Sequence, residues 1–180
     1  MTIFVANINE MEKKKLNKEL IKGLESGKSE VILQSLEIIR KEGFAEYLPF
    51  LADLFIRTKS VEVKDKISSI FQDLKDSDGV SIIMDLIIGN SNLELRSMLL
   101  TACWSSSLDF SNYLESFIDI AIEGEYMQIF EVITVVENFE YTPSSEVLAQ
   151  ALRRVEGAIV EQKDVKAEML EQLKIVLQSF

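Results

Sequence analysis

The sequence predicts an all-α chain built from stacked helical hairpins, and three observations carry that prediction. The first is internal repetition. LPFLADLFIRTKSVEVKDKISSI, SIIMDLIIGNSNLELRSMLLTA and LESFIDIAIEGEYMQIFEVITVV each read as an apolar helix with one acid (Asp53, Asp85, Asp119), a short polar break and a second helix. The acids lie 32 and 34 residues apart, and the same offsets superpose Val63, Leu95 and Ile129, then Ile67, Leu99 and Ile133, then Ile70, Ala102 and Val136. A period of that size marks stacked supersecondary units. The second observation is punctuation: apolar residues recur at helical spacing between clusters of Gly, Ser, Asn and Asp. The third is scarcity, since only 7 Gly and 2 Pro occur in 180 residues, which suits long helices and short turns.

Taken in order, residues 8–26 predict a first helix, with Ile8, Met11, Leu16, Leu20 and Leu24 as its apolar stripe. Its other side carries Lys13, Lys14, Lys15, Lys18 and Lys22, as a capping helix with one face in water requires. Ser26-Gly27 ends it. Ser29 is the expected cap of a second helix with Ile32, Leu36 and Ile39 inward and Gly43 at its end. A helix over 44–57 tolerates Pro49 in its first turn. Ser60 opens the next, which runs to about Lys75. Asp76-Ser77-Asp78-Gly79 forms a turn before the apolar helix Val80–Ile88, and Gly89-Asn90-Ser91-Asn92 breaks the chain before a helix over 93–106. Helices over 110–123 and 125–139 meet at Gly124. Tyr141-Thr142-Pro143-Ser144 precedes the last pair, 145–161 and 164–179. The β-branched run Val132-Ile133-Thr134-Val135-Val136 favours a strand in isolation, but the helical spacing around it outweighs that propensity. The expected architecture is one domain over residues 1–180. It holds about ten helices in five antiparallel pairs, with the clearest repeats at 44–140 and the end hairpins as caps.

Two segments, VEVKDKISSIFQDL at Val61–Leu74 and LELRSMLLTAC at Leu93–Cys103, resemble HEAT repeats. In those repeats the second helix opens on Val-Arg and continues with small and apolar residues. Val63-Lys64 and Leu95-Arg96 match the dipeptide in kind, and Ser68-Ser69 and Thr101-Ala102 supply the small residues. The chain departs from the pattern elsewhere. Thr58-Lys59 and Asn90-Ser91 replace the acidic turn, Phe130 and Leu33 stand at the basic position, and a single unit carries a proline in its first helix. The resemblance covers about residues 29–140. It implies a short right-handed α-solenoid, a HEAT/ARM-like superhelix whose second helices line the concave side, and proteins of this kind usually serve as scaffolds or binding modules.

Composition narrows the function further. The chain has no His, which removes the commonest general base and metal ligand together. Cys103 is the single cysteine, and no glycine-rich phosphate loop, paired-Cys zinc pattern or nucleophile–base pair occurs. The expectation is a non-enzymatic protein with no cofactor. MTIFVANINEMEKKK lacks the form of a secretory leader, and no apolar run reaches 18 residues. The cytoplasm is the expected compartment. A formal charge of −11 opposes binding to nucleic acid or anionic lipid. That charge is concentrated: residues 97–152 hold nine acids and no base, while 153–180 hold five of each. Such a window favours a basic partner.

Candidate binding residues follow from the projected concave side of the third and fourth hairpins. Trp104 has Gln72 and Asn138 as counterparts, off the shared core positions, and a half-exposed Trp is a frequent binding anchor. The alternative has it packed sideways with Leu93 and Leu100. Glu94, Glu131, Glu137 and Asn138 fall on or beside the same surface, with Glu123 and Glu125 at the turn between helices. They form either a negative patch for a basic peptide or the solvated sides of greasy helices. Cys103 aligns with Phe71, a core position, and reads as a structural thiol. Asp53, Asp85 and Asp119, one hairpin apart at ~10 Å, are too distant to share a metal. The function expected is a protein–protein interaction or scaffold module. An immunity or inhibitor protein against a basic toxin or nuclease is the alternative, and a HEAT-like DNA-repair enzyme would need a basic groove that the acidic window opposes.

Overall fold

The computed structural model describes residues 16–43, 45–162 and 165–180. Those residues form ten α-helices: α1 Lys18–Leu24, α2 Ser29–Glu42, α3 Leu48–Arg57, α4 Val61–Gln72, α5 Gly79–Gly89, α6 Leu93–Ser105, α7 Leu114–Glu123, α8 Tyr126–Glu137, α9 Ser145–Glu161 and α10 Val165–Gln178. Single 3-10 turns lead into α3 and α7, and no strand occurs among the described residues. The segment of the expected first helix holding Ile8, Met11 and Lys13–Lys15 lies outside them.

Local chemistry sets most boundaries. Asn17, Ser60, Asn92 and Ser144 are N-caps whose side chains accept a backbone N–H from the first turn, each stabilising its helix by about 1 kcal/mol. Gly43 closes α2 in the left-handed conformation at φ 66°, which a side chain would resist. Pro49 sits in the first turn of α3, where no helical N–H is lost. Several expected boundaries need correction: the helices expected over 44–57 and 110–123 begin only at Leu48 and Leu114, after the 3-10 turns Ala45–Tyr47 and Ser111–Tyr113. Ser29 is the first helical residue of α2 rather than its cap, because the cap position is Lys28, whose N–H donates to Ser26 Oγ at 3.2 Å. The helix expected to reach Lys75 stops at Gln72, where the Asp73 N–H turns back to the Phe71 and Ser69 carbonyls.

Consecutive helices pair across short turns: α1 with α2, α3 with α4, α5 with α6, α7 with α8 and α9 with α10. The second helices of these pairs also touch in succession, α2–α4–α6–α8–α10. The first helices do so over α1–α3–α5 and again over α7–α9. α6 lies at the centre and contacts α3, α4, α5 and α8, so Leu95, Met98, Leu99, Leu100, Ala102 and Cys103 are buried around most of its circumference.

Burial exposes a one-residue correction to the repeat alignment. The buried set Val63, Ile67, Ile70 and Phe71 of α4 recurs 32 residues on as Leu95, Leu99, Ala102 and Cys103. In α8 the same spacing falls on Gln128, Val132, Val135 and Val136, so Val132 rather than Ile133 takes the core place. Trp104 therefore corresponds to Glu137, not Asn138, and the basic position of α4 and α6 corresponds to buried Ile129 rather than to Phe130. A run with apolar residues at 132, 133, 135 and 136 offers two helical faces, and periodicity alone does not choose between them.

Two tertiary joins hold the ends. The buried Tyr47 hydroxyl donates to Glu42 Oε2 at 2.7 Å and accepts the Asn17 N–H at 3.1 Å, tying the start of α1 to the end of α2. Burial raises the pKa of that phenol. At the other end Phe110, Phe117, Phe139 and Phe180 form a chain of rings with centroids 6.5, 6.0 and 6.4 Å apart, joining the loop before α7 to α7, the end of α8 and the last residue.

Candidate protein-binding surface

Polar side chains bridge the row of second helices on its exposed side. Lys66 of α4 pairs with Glu37 of α2 and holds that carboxyl below its usual range. Lys64 of α4 reaches both oxygens of Glu94 on α6 at 2.6 Å and lies 4.9 Å above the Phe55 ring. From α6, Thr101 Oγ1 and Trp104 Nε1 donate to the two oxygens of Glu131 on α8, at 3.2 and 2.8 Å. These bridges join residues 27 to 30 apart in sequence, which is the signature of neighbouring helices running the same way.

The residues singled out from sequence separate into two groups along this row. Glu94 is in the first turn of α6, and Glu123 and Glu125 are exposed at the turn into α8, where Glu125 is the N-cap. Trp104, Glu137 and Asn138 are at the opposite ends of α6 and α8, with Glu131 in mid-helix. At 1.5 Å per residue, Glu94 and Trp104 are roughly 15 Å apart along α6. Trp104 is half-exposed at 37%. Of its two expected neighbours on the stripe, Leu100 is fully buried and Leu93 is exposed. The indole N–H is committed to Glu131, and Asn138 Nδ2 donates to the Thr134 carbonyl at 2.8 Å.

Trp104→Phe removes that donor and is expected to lower the unfolding free energy by about 1 kcal/mol, the part-exposed bond being worth less than a buried one. Glu131→Gln should cost less in that background than in wild type, because the Trp104 bond is already gone and only the Thr101 bond to Glu131 is left to weaken. Urea unfolding of the single and double variants checks this, and simple additivity would contradict it.

Part of the acidic window is spent inside the fold. Asp119 pairs with Arg154, and Asp109 accepts the Ser111 and Glu140 N–H groups at 3.3 and 3.1 Å, stapling two loops together. With Glu131 these make three of the nine acids. Glu115, Glu123, Glu125, Glu137, Glu140 and Glu146 have no ion-pair partner among the described residues, so the excess charge stays largely on the surface. Beside it stand exposed apolar side chains that periodicity does not single out: Tyr126, Met127 and Phe130 on α8. The signal was present in Phe130, which interrupts the polar pattern of the exposed faces of α4 and α6.

Gly124, between α7 and α8, permits the tight junction that places this surface. A Cβ there would meet the Ile120 carbonyl oxygen at 2.5 Å and Gln128 at 3.0 Å. Glu125 N–H then donates to Gln128 Oε1 at 3.1 Å, within a capping arrangement at the start of α8. Cys103 is buried, and burial first, then the nearby Glu131 charge, raises its thiol pKa well above the ordinary value, which opposes thiolate chemistry. Asp53, Asp85 and Asp119 are exposed, and the outer two pair with Arg57 and Arg154. Among the described residues no three or more acidic, Cys or His side chains converge as a metal site, and no helix is long and apolar enough to cross a membrane. No protein-family model, curated protein or solved structure matches the chain.

Proposed function

We propose that the chain is a short HEAT-like solenoid serving as a non-enzymatic, cytoplasmic protein-interaction module. Its binding face is the exposed side of the second-helix row, the concave side of a right-handed stack, and its partner is a basic protein or peptide rather than nucleic acid or membrane. The observation that supports this most is the presence along α6 and α8 of exposed Trp104, Met127 and Phe130 together with carboxylates such as Glu137 that pair with no cation among the described residues. Apolar anchors supply affinity, and surrounding charge supplies steering and selects the sign of the partner.

The test is capture from lysate of the source cell with wild type, Phe130→Asp and Glu137→Lys, each change being on an exposed residue so that the helices survive. A specific partner should be retained by wild type and weakened by rising salt. Both variants should lose at least ~10-fold of it, the size of a modest hot spot. Retention indifferent to salt and to both variants would overturn the reading. Glu131 is unsuited to this test, because its carboxylate already holds α6 to α8.

A further inference from the structure

Four of the five second helices share a feature at their starts, α2 beginning instead on Ser29. The first residue of α4, α6, α8 and α10 is apolar and exposed in every case: Val61 at 71%, Leu93 at 60%, Tyr126 at 49% and Val165 at 53%. One exposed apolar residue on a surface is ordinary. Four at the same place on four successively packed helices make a line, and aligned apolar exposure marks a contact surface. Near the α2 end of that line, Val61 and Leu33 form the apolar wall of an open groove of about 670 Å³ between α2 and α4.

Charge fixes the sign of what fits. The groove is lined by Glu30, Glu62 and Asp65, which have no cation partner among the described residues, and by Lys66, whose charge is taken up by Glu37. Glu123 and Glu125, just before Tyr126, are likewise without a cation partner among the described residues. Each helix N-terminus contributes roughly half a positive charge, so full carboxylates outweigh the dipoles and the edge favours cations.

Spacing fixes the shape. Neighbouring packed helices lie ~10 Å apart, so an occupant must present an apolar group about every 10 Å on one side. An extended strand repeats a face every two residues, at roughly 6.6 or 13 Å, and misses that step. An α-helix rises about 10.5 Å in seven residues and returns close to the same face. We infer that the segment recognised is a basic amphipathic helix, with apolar residues seven apart and Lys or Arg between them, lying across the first turns of α4, α6, α8 and α10. This rests on the second-helix row being the binding face, and it names the partner's chemistry.

The experiment is fluorescence anisotropy on the full chain. The probe is a labelled Lys-rich helical peptide with Leu at every seventh position. Its composition-matched isomer has Leu at every fifth position, which scatters the apolar groups around the helix. The seven-spaced peptide should bind ~10-fold tighter than the isomer, and Val61→Asp and Leu93→Asp should each weaken it by a similar factor. Aspartate at a helix start favours the helix, so folding is retained and is checked by circular dichroism. The added negative charge would strengthen any purely electrostatic capture, so loss of binding isolates the apolar ladder. Equal binding of the two peptides, tighter binding by the Asp variants, or no binding of the seven-spaced peptide would each overturn the inference. If that happens while a lysate partner is still lost on Glu137→Lys, the interaction-module reading stands and the helical track alone falls.

Discussion

Replacing Phe117 by alanine is expected to cost about 3–5 kcal/mol of stability and to lower the thermal midpoint by roughly 10 °C. Phe117 is fully buried and stands between Phe110 and Phe139, with Phe180 continuing the chain of rings. Truncation leaves a cavity beside Phe110 and Phe139, and rings held by two separate segments cannot both move in to fill it. Aromatic pairs of this geometry add about 0.5–1.5 kcal/mol beyond the area that they bury. Urea unfolding read by far-ultraviolet circular dichroism measures the loss. A cost below about 1 kcal/mol would mean that the α7–α8 end of the molecule does not close as described.

The second large effect contrasts two leucines of one helix. Leu99→Ala should cost about 2–5 kcal/mol, because Leu99 is fully buried in the helix that touches four others. Leu93→Ala should fall within about 0.5 kcal/mol of wild type, since Leu93 is 60% exposed. The same chemical change six residues apart then reads out the burial register of α6 directly. Comparable costs at both positions would contradict that register.

Much of the fold was legible before any coordinates, for identifiable reasons. Ser60, Asn92 and Ser144 announce helix starts because a side-chain oxygen two or three residues ahead of orphan N–H groups has a local task. Gly43 and Pro49 are equally local. What escaped was decided at longer range. Ser29 lost the cap position because the turn from Ser26 to Lys28 had already closed one residue earlier. The face of α8 stayed ambiguous because Val132 and Ile133 are both apolar and β-branched; α8 packs against α6, α7 and α10, and in that packing Val132 is the one buried.

The candidate surface was legible in charge but not in pairing. The acidic window is plain from the absence of Lys and Arg over 97–152. Yet which acids are spent inside depends on partners about 30 residues away, as for Glu131 with Thr101 and Trp104 or Asp119 with Arg154. The repeat spacing holds that information only once helices are known to pack side by side in one direction. Trp104 shows the same limit. Its place off the core was readable, but the bond that ties its ring to α8 was not.

Whether a partner engages the exposed side of the second helices, as proposed, can be read by hydrogen–deuterium exchange on the chain with its captured partner. Added protection is expected in α4, α6 and α8, strongest in the turns that begin at Val61, Leu93 and Tyr126 and in the stretch around Phe130, with α3, α5 and α7 unchanged. Protection concentrated instead on the first-helix side, around Asp53, Asp85 and Asp119, would contradict it.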